Sequence, residues 1–489
     1  MDERHAMHVR RDIWRLHRDE GEWNQTVLAY ALAVREMQGQ DPPADRPVSW
    51  DWAYQTQVHG MDVDPEDGLR SQCQHGSWYF LPWHRMYLGH FESVVRAIVA
   101  GLDDPMIEDV TKQEWALPYW DYEPADNRTL PPEFTAPTLP DGSPNPLAAP
   151  DRNPWVLPPD SIPLDDNEVS SLQWMANPLF ANPVSAASFG GIISGPTHFP
   201  LSLRNMGDLE MTPHGTVHMY VGGDMSSFSS AGNDPVFWLH HCNVDRLWEV
   251  WKVTGDRMTV ITDPRWADDE FFFLDVAGET VTHHAVDVEE TGSFEYVYED
   301  FVVVEPVEPV EPVEPMPERA VRGGVMEPDD DEAVTRSLEP AVLGSEEGIT
   351  LGRGATDVVV SLRRDRELTS RAARPSAAQP RVLLYARNIT ASGGPLMSYS
   401  VFLTGSGDDD QVFVGNLALF GLMESMERDD EHQVEYAFDV TDAVTELEER
   451  GQWTWDAARV HIEPSNRAVA EQRSSVPDVT VGSLAIAYQ

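Results

Sequence analysis

Apolar positions along the chain follow two rhythms. Up to about residue 300 the rhythm is helical: over residues 12–38, apolar side chains recur every three or four places, the period of a helix with one buried face. Leu81-Pro82 predicts the opening of a second helix. Asn233-Asp234-Pro235 predicts another, because capping side chains and a proline suit a first turn. Between Pro131 and Pro163 the chain is dense in Pro, Asp and Asn and reads as loop. In the last third the rhythm shortens. ATDVVVSL, PRVLLYARNIT, MSYSVFLTG, QVFVGNLALFG, VEYAFDVT, ARVHIEP and TVGSLAIAY are β-branched and aromatic runs separated by turn residues, the pattern of an all-β sandwich or barrel. Between the two halves, EPVEPVEPVEPMPE starts at Glu305; each proline fixes φ and removes a donor, which predicts an extended linker. The expected organisation is a mostly α-helical domain with long loops over 1–302, an acidic Pro-rich linker over 303–347, and an all-β sandwich over 348–489.

Charge narrows the partners. The 489 residues carry 83 acidic and 34 basic side chains, a formal −49, and the only lysines are Lys112 and Lys252. Binding to nucleic acid or anionic lipid needs clustered Lys/Arg, so neither is an expected partner. Such a surface suits salty surroundings, where screening relieves self-repulsion. No apolar run reaches the ~18 residues of a membrane span. The charged start MDERHAMHVRRDIWRLHRDE has no apolar signal region, so the expected location is the cytoplasm, or outside it without a visible signal peptide. Two cysteines exclude a disulfide framework. Oligomeric state is not legible.

The sixteen histidines carry the chemistry. PHGTVHMY sets His214 and His218 one helical turn apart, and NDPVFWLHHCNVDRLWEVW follows with His240 and His241. Asp245, a turn beyond His241, is placed to accept the spare ring N–H of a metal-bound imidazole. An earlier group is His59, His75 and His84, the last within YFLPWHRMYLGHFE, with His90 further along as a supporting residue. One HxxxH pair is ordinary on a helix; two triads are not. Three imidazoles per metal with no thiolate or carboxylate suit copper, iron or zinc. The HExxH of zinc proteases is absent, as is the two-histidine, one-carboxylate set of iron oxygenases. Two all-imidazole triads favour a copper pair that binds O2 between the metals.

His59, His75 and His84 with FLPWHR, then His214, His218 and NDPVFWLHHCNVDRLW, resemble the two copper sites of the type-3 copper family, which holds tyrosinases, catechol oxidases and molluscan haemocyanins. VRRDIWRL, LPYWDY (117–122) and YVY (296–298) extend the resemblance over about residues 8–300. It implies a four-helix bundle holding two copper ions, O2 as co-substrate, and a small phenol as substrate. It also implies that His241, not His240, is the sixth ligand. Cys73, two residues before His75, resembles the cysteine that forms a thioether with a copper ligand in fungal and molluscan members. Cys242 has no such counterpart and reads as packing. The C-terminal runs are similar to the β domain that covers the copper site in latent polyphenol oxidases and haemocyanins. There the domain inserts one apolar residue; Leu419 and Phe420 in VFVGNLALFG are the candidates.

Which reaction the resemblance implies turns on a few positions. A glutamate and an asparagine beside the first copper-B histidine are the family's proposed water holders for monophenol hydroxylation. Here Glu210 lies four residues before His214, but the next-residue position is Gly215, and Met219 follows His218. Phe228 matches the bulky gate of plant catechol oxidases. The expectation is a latent catechol oxidase making o-quinones, with a monophenol-hydroxylating tyrosinase and a haemocyanin-like O2 carrier as alternatives.

Overall fold

The computed structural model describes residues 7–39, 43–61, 68–182, 188–196, 206–255, 257, 261–301, 341–363, 381–394, 396–405, 410–428 and 434–488. Most of the expected linker, and His5, His198 and His432, lie outside these. The helical half contains α1 (Ile13–Glu20), α2 (Gln25–Met37), α3 (Trp52–His59), α4 (Phe80–Ala100), the short α5 (Asp109–Glu114) and α6 (Leu172–Ala176), then α7 (Thr216–Val221) and α8 (Val236–Val253). The periodic segment 12–38 forms two helices rather than one. Gly21 ends α1 at a φ of 87°, a conformation glycine tolerates, and Asn24 restarts the chain by accepting the Val27 N–H at 3.1 Å. Asp12 caps α1 in the same way.

α4 packs against both α2 and α8 and is buried along most of its length. Trp238 of α8 stacks on Phe91 of α4 with centroids 3.4 Å apart and lies 4.7 Å from Tyr87. The Tyr30 hydroxyl of α2 donates to the Pro235 carbonyl at 3.0 Å, tying the start of α8 to α2. Asp234 accepts the Val236 N–H at that helix start and holds Arg152 through both its oxygens.

Four short strands complete this half: β1 (His8–Arg10), β2 (Phe271–Leu274), β3 (Thr280–His283) and β4 (Tyr296–Tyr298). β1 and β4 pair in parallel, His8 opposite Tyr296, so the two ends of the domain meet. Beneath this seam lies a buried charge network. Asp245 receives the Arg85 Nε–H at 2.6 Å, Arg10 at 3.4 Å and the hydroxyls of Tyr296 and Tyr298, both at 2.5 Å. Arg10 also bonds Glu92, and Arg85 bonds Glu249.

The second half is two four-stranded antiparallel sheets. Its strands are β5 (Ala341–Leu351), β6 (Thr356–Ser361), β7 (Val382–Ala391), β8 (Tyr399–Thr404), β9 (Gln411–Leu417), β10 (Glu435–Asp439), β11 (Ala457–Pro464) and β12 (Val479–Tyr488). One sheet runs β10-β7-β12-β5 and the other β6-β11-β8-β9. Each expected run forms a strand. The linker boundary at 347 needs correcting: β5 starts at Ala341 and pairs with β12 along its length. Its Gly-Ser-Glu-Glu stretch reads as linker, yet it is the exposed edge of a sheet whose other neighbour supplies the apolar face.

The sandwich is seated on the helical half. Asn416 donates to the Asn167 carbonyl at 2.7 Å and the Thr212 hydroxyl at 3.1 Å, and Asn466 donates to the Pro163 carbonyl and Glu168 Oε2, both at 3.0 Å. The Arg473 guanidinium lies over Trp155. One apolar cluster combines Met206, Met211, Met219 and Phe228 of the helical half with Leu419, Phe420 and Leu422 of the sandwich. Among the described residues no helix is long and apolar enough to cross a membrane.

Candidate metal centre

Two helix pairs deliver the imidazoles. α3 ends on His59 and α4 brings His84 in its second turn; His75 stands on the turn between them. His214 sits in the wide helical turn Glu210–Gly215, which runs into α7 carrying His218, and α8 brings His241. His59, His75 and His84 have ring centroids 5.1–5.6 Å apart. His214, His218 and His241 are 4.6–5.4 Å apart. The triads meet through His84 and His241, stacked at 4.5 Å.

Backbone acceptors set the tautomers. The Nδ1 of His59 reaches the Phe228 carbonyl at 2.9 Å, that of His84 the Phe80 carbonyl at 2.8 Å, that of His214 the Glu210 carbonyl at 2.9 Å and that of His218 the Met225 carbonyl at 2.6 Å. His75 uses a carboxylate instead, Glu210 Oε1 at 3.0 Å. A carbonyl only accepts, so the Nδ1 of His59, His84, His214 and His218 carries the proton and their Nε2 presents its lone pair inward. Nε2 of His59 and His75 face each other at 3.2 Å, and those of His218 and His241 at 3.3 Å. Nε2 of His84 and of His214 are buried with no partner. Buried nitrogens left unpaired are costly without a cation to bind them. Burial pushes every one of these imidazoles down, His59 to about 4 and the others well below their ordinary value, so they are neutral ligands. The set fits two copper ions: all-imidazole, neutral and enclosed by the rings of Phe80 and Phe237.

Other expected residues fall differently. Asp245 does not reach His241, whose Nδ1 has no partner; the carboxylate faces away into the network with Arg85 and Arg10. Burial pushes the Asp245 carboxyl up, but the two arginines and two tyrosine hydroxyls outweigh it and hold the carboxyl below the usual range. One helical turn puts it on the same side as His241, but the longer-range arginines decide where it points. His90 does not support a copper ligand either. Its Nε2 meets that of His283 at 2.8 Å, across the β2–β3 hairpin. Glu210 is engaged by its neighbours, with one oxygen on His75 and both on the Gly76 N–H, so it orients the His75 ring. Burial pushes its carboxyl well up despite the Gly76 and Gly207 amides. Cys73 is buried, and its sulfur groups with nitrogens of His59 and His75 within 4.8 Å of one another. Cys242 packs beside Arg10, and burial raises its thiol.

Sequence reasoning set His240 aside and missed the steric demand at Gly215. His240 joins His214, His218 and His241 in one ligand-spaced group, with both its ring nitrogens buried and unpartnered. Its ring stacks beside His214 at 5.6 Å, while the Nε2 facing His218 belongs to His241. Gly215 has a steric reason to be glycine: a Cβ there would lie 2.8 Å from the Ala418 Cβ of the sandwich. The 418–420 loop therefore approaches closely. Phe420 lies parallel to His218 at 4.1 Å and 4.4 Å from Phe228, whose ring is 4.5 Å from His75. Leu419 turns away at a φ of 56°, its N–H donating to the Tyr436 hydroxyl. Met219 lies in the apolar seam between the halves.

Helices converging two histidine triads beneath a β sandwich define a dicopper protein of the type-3 kind. Residues 50–254 match the family model described as the common central domain of tyrosinase, and 341–489 match a domain of unknown function. Over residues 50–254 the chain carries the common central domain of tyrosinase; it is similar to tyrosinases and polyphenol oxidases of the type-3 copper kind, its histidine clusters fit two copper ions, and the likeness supports an oxidoreductase. It is 29% identical to tyrosinase HcTyr1 of Hahella sp. (strain CCB-MM4), over 98% of this chain and 99% of that protein. It is 32% identical to the chloroplastic polyphenol oxidase of Malus domestica over 46% of this chain, but spans only 38% of that relative. In fold it is similar to latent apple tyrosinase (TM-score 0.58, 22% identity, covering 99% of this chain and 97% of that one) and to latent aurone synthase (TM-score 0.60, 21% identity, 99% and 90%).

Proposed function

We propose that this chain is a latent o-diphenol oxidase, turning catechols into o-quinones and held inactive by its own sandwich domain. The observation that carries the reading is Phe420. Its flat contact on His218 occupies the surface on which a phenol ring would stack to bring its oxygens to the metals. With O2, the two coppers supply the acceptor for the two electrons the catechol loses. The chain's own residues do the rest. The Nδ1 acceptors hold the imidazoles in register, Phe80 and Phe237 keep water from the ligands, and Phe228 narrows the approach to ring-sized substrates.

The reading prefers diphenols over monophenols because the two side-chain positions expected to hold a water for phenol deprotonation do not offer one here. Gly215 has no side chain, and the Glu210 oxygens are taken by His75 and Gly76. A thioether between Cys73 and His75 belongs to the same reading. A monophenol-hydroxylating enzyme is the second reading, favoured by the likeness along nearly the whole chain to a protein named tyrosinase.

The test is oxygen uptake by the copper-loaded chain with a catechol and with a monophenol, before and after limited cleavage between residues 301 and 341. Catechol turnover that rises on cleavage, without monophenol turnover, is the expected result. Monophenol turnover moves the assignment to the second reading, and no turnover after cleavage overturns both.

A further inference from the structure

The loop that bears Phe420 does more than fill a space. Gly421 lies against the Phe228 ring, so closely that a Cβ at 421 would fall 1.8 Å from the ring carbon Cε2. Three residues on, the short helix Leu422–Arg428 turns Glu424 towards the Phe228 backbone, and its Oε1 accepts the Phe228 N–H at 2.8 Å. The carbonyl of Phe228 in turn accepts the His59 Nδ1–H at 2.9 Å. Phe228 is thus gripped on its ring by Phe420 and Gly421 and on its backbone by Glu424, while its other backbone group orients a copper-A ligand.

From this chain of contacts we infer that Glu424 is a positioning residue: through the backbone of Phe228 it holds His59, so docking of the sandwich sets the copper-A ligand as well as covering the site. This rests on the latent-oxidase reading for its regulatory meaning, but the link from Glu424 to His59 stands on geometry alone. A charged acceptor makes a stronger bond to an amide than a neutral one, and an ordered Phe228 backbone fixes both the direction and the tautomer of the imidazole that leans on it. The plug and the clamp are separable. Phe420 touches His218, on the copper-B side, whereas Glu424 acts on His59, on the copper-A side, without touching an imidazole.

The experiment uses the intact copper-loaded chain and four variants: Glu424→Ala, Glu424→Gln, Glu424→Leu and Phe420→Ala. Two readouts besides activity are followed: amide hydrogen exchange of the segment containing Phe228, and the rate at which a Cu(I) chelator removes the first copper under reducing conditions. Glu424→Ala and Glu424→Leu are expected to speed both by about tenfold or more, the scale of one lost charge-assisted hydrogen bond. Glu424→Gln, whose amide oxygen still accepts, is expected to stay within about threefold of the parent. Phe420→Ala is expected to raise catechol oxidation by the intact chain while leaving Phe228 exchange near the parent value. Parent-like exchange and copper release in Glu424→Ala and Glu424→Leu overturn the inference. So does a Glu424→Gln variant as fast as Glu424→Ala, since that ties the effect to charge or local folding rather than to the bond. If the intact parent already oxidises catechol as fast as the cleaved chain, the latency reading fails, while faster exchange and copper release in the alanine variant still support the positioning role.

Discussion

Phe420 reaches His218 only because three positions give way to it: Gly215 lets Ala418 come close, Gly421 lets the loop bend against Phe228, and Leu419 takes a left-handed conformation that turns its side chain aside. Replacing Gly215 by alanine forces the Ala418 contact apart, at a cost of roughly 1–3 kcal/mol to the docked state. The intact Gly215→Ala chain is expected to oxidise catechol several-fold faster than the parent in an oxygen-electrode assay. No change would mean that the loop adjusts freely. Asp245 makes the opposite case, a residue whose role is support. Asp245→Asn leaves Arg85 and Arg10 short of a buried counter-charge and is expected to destabilise the helical half by roughly 3–5 kcal/mol, read by denaturant unfolding. The histidines that the structure brings together were nameable in the chain for two reasons: one helix turn separates His214 from His218, and a family resemblance pointed to the rest. Asp245 was misread because its partners arrive from residues 10, 85, 296 and 298, and no local pattern announces them. Glu424 was invisible for the same reason.

At the level of elements, helices and strands were readable from periodicity, and the errors lie where periodicity and chain breaks compete. The segment 12–38 keeps one rhythm but splits at Gly21, and β5 hides among acidic residues because only one of its faces is apolar. Of the seam between the halves only the inserted apolar residue was suggested, by resemblance; its polar contacts could not be read, and they include a titrating group. Glu168 is buried there, accepting from Asn466 of the sandwich and from the Asp165 N–H, with the Asp165 carboxylate nearby. Burial raises its carboxyl from 4.5 to about 7, against the two hydrogen bonds that favour its charge. A docked state that holds this proton more tightly than the undocked state is favoured below about pH 4.5 and loses that contribution as pH rises through about 7. The upper bound is on the order of 3 kcal/mol. Activity of the intact chain, corrected for that of the cleaved chain, is expected to climb between those values, and Glu168→Gln is expected to flatten the climb. The copper-bearing elements give a second expectation. Stripping copper leaves Nε2 of His84 and His214 buried and unpaired, roughly 1–3 kcal/mol each. The melting temperature of the helical half should fall by several degrees on copper removal and recover on titration; an unchanged value would argue that those nitrogens find water.

For the molecule as a whole, the formal −49 sets the conditions under which these elements hold together. At about 0.01 M salt the screening length is ~30 Å, long enough for most of that charge to repel itself, and at about 1 M it is ~3 Å. Thermal unfolding is therefore expected at higher temperature in 1 M than in 0.01 M sodium chloride, and a flat salt response would mean that local ion pairs already balance the field.

The seating of the sandwich has a consequence in the dimension of concentration. Asn416, Asn466, Arg473 and Glu424 hold it to the helical half, all by non-covalent contacts. While the chain is whole, the segment between residues 301 and 341 keeps the sandwich near its seat at an effective concentration in the millimolar range. Once that segment is cut, the same contacts must work between two separate molecules at whatever concentration the solution provides. If the sandwich holds the site inactive as proposed, a cut enzyme is an inhibitor and its target in equilibrium: crowded, it stays shut, and diluted, it opens.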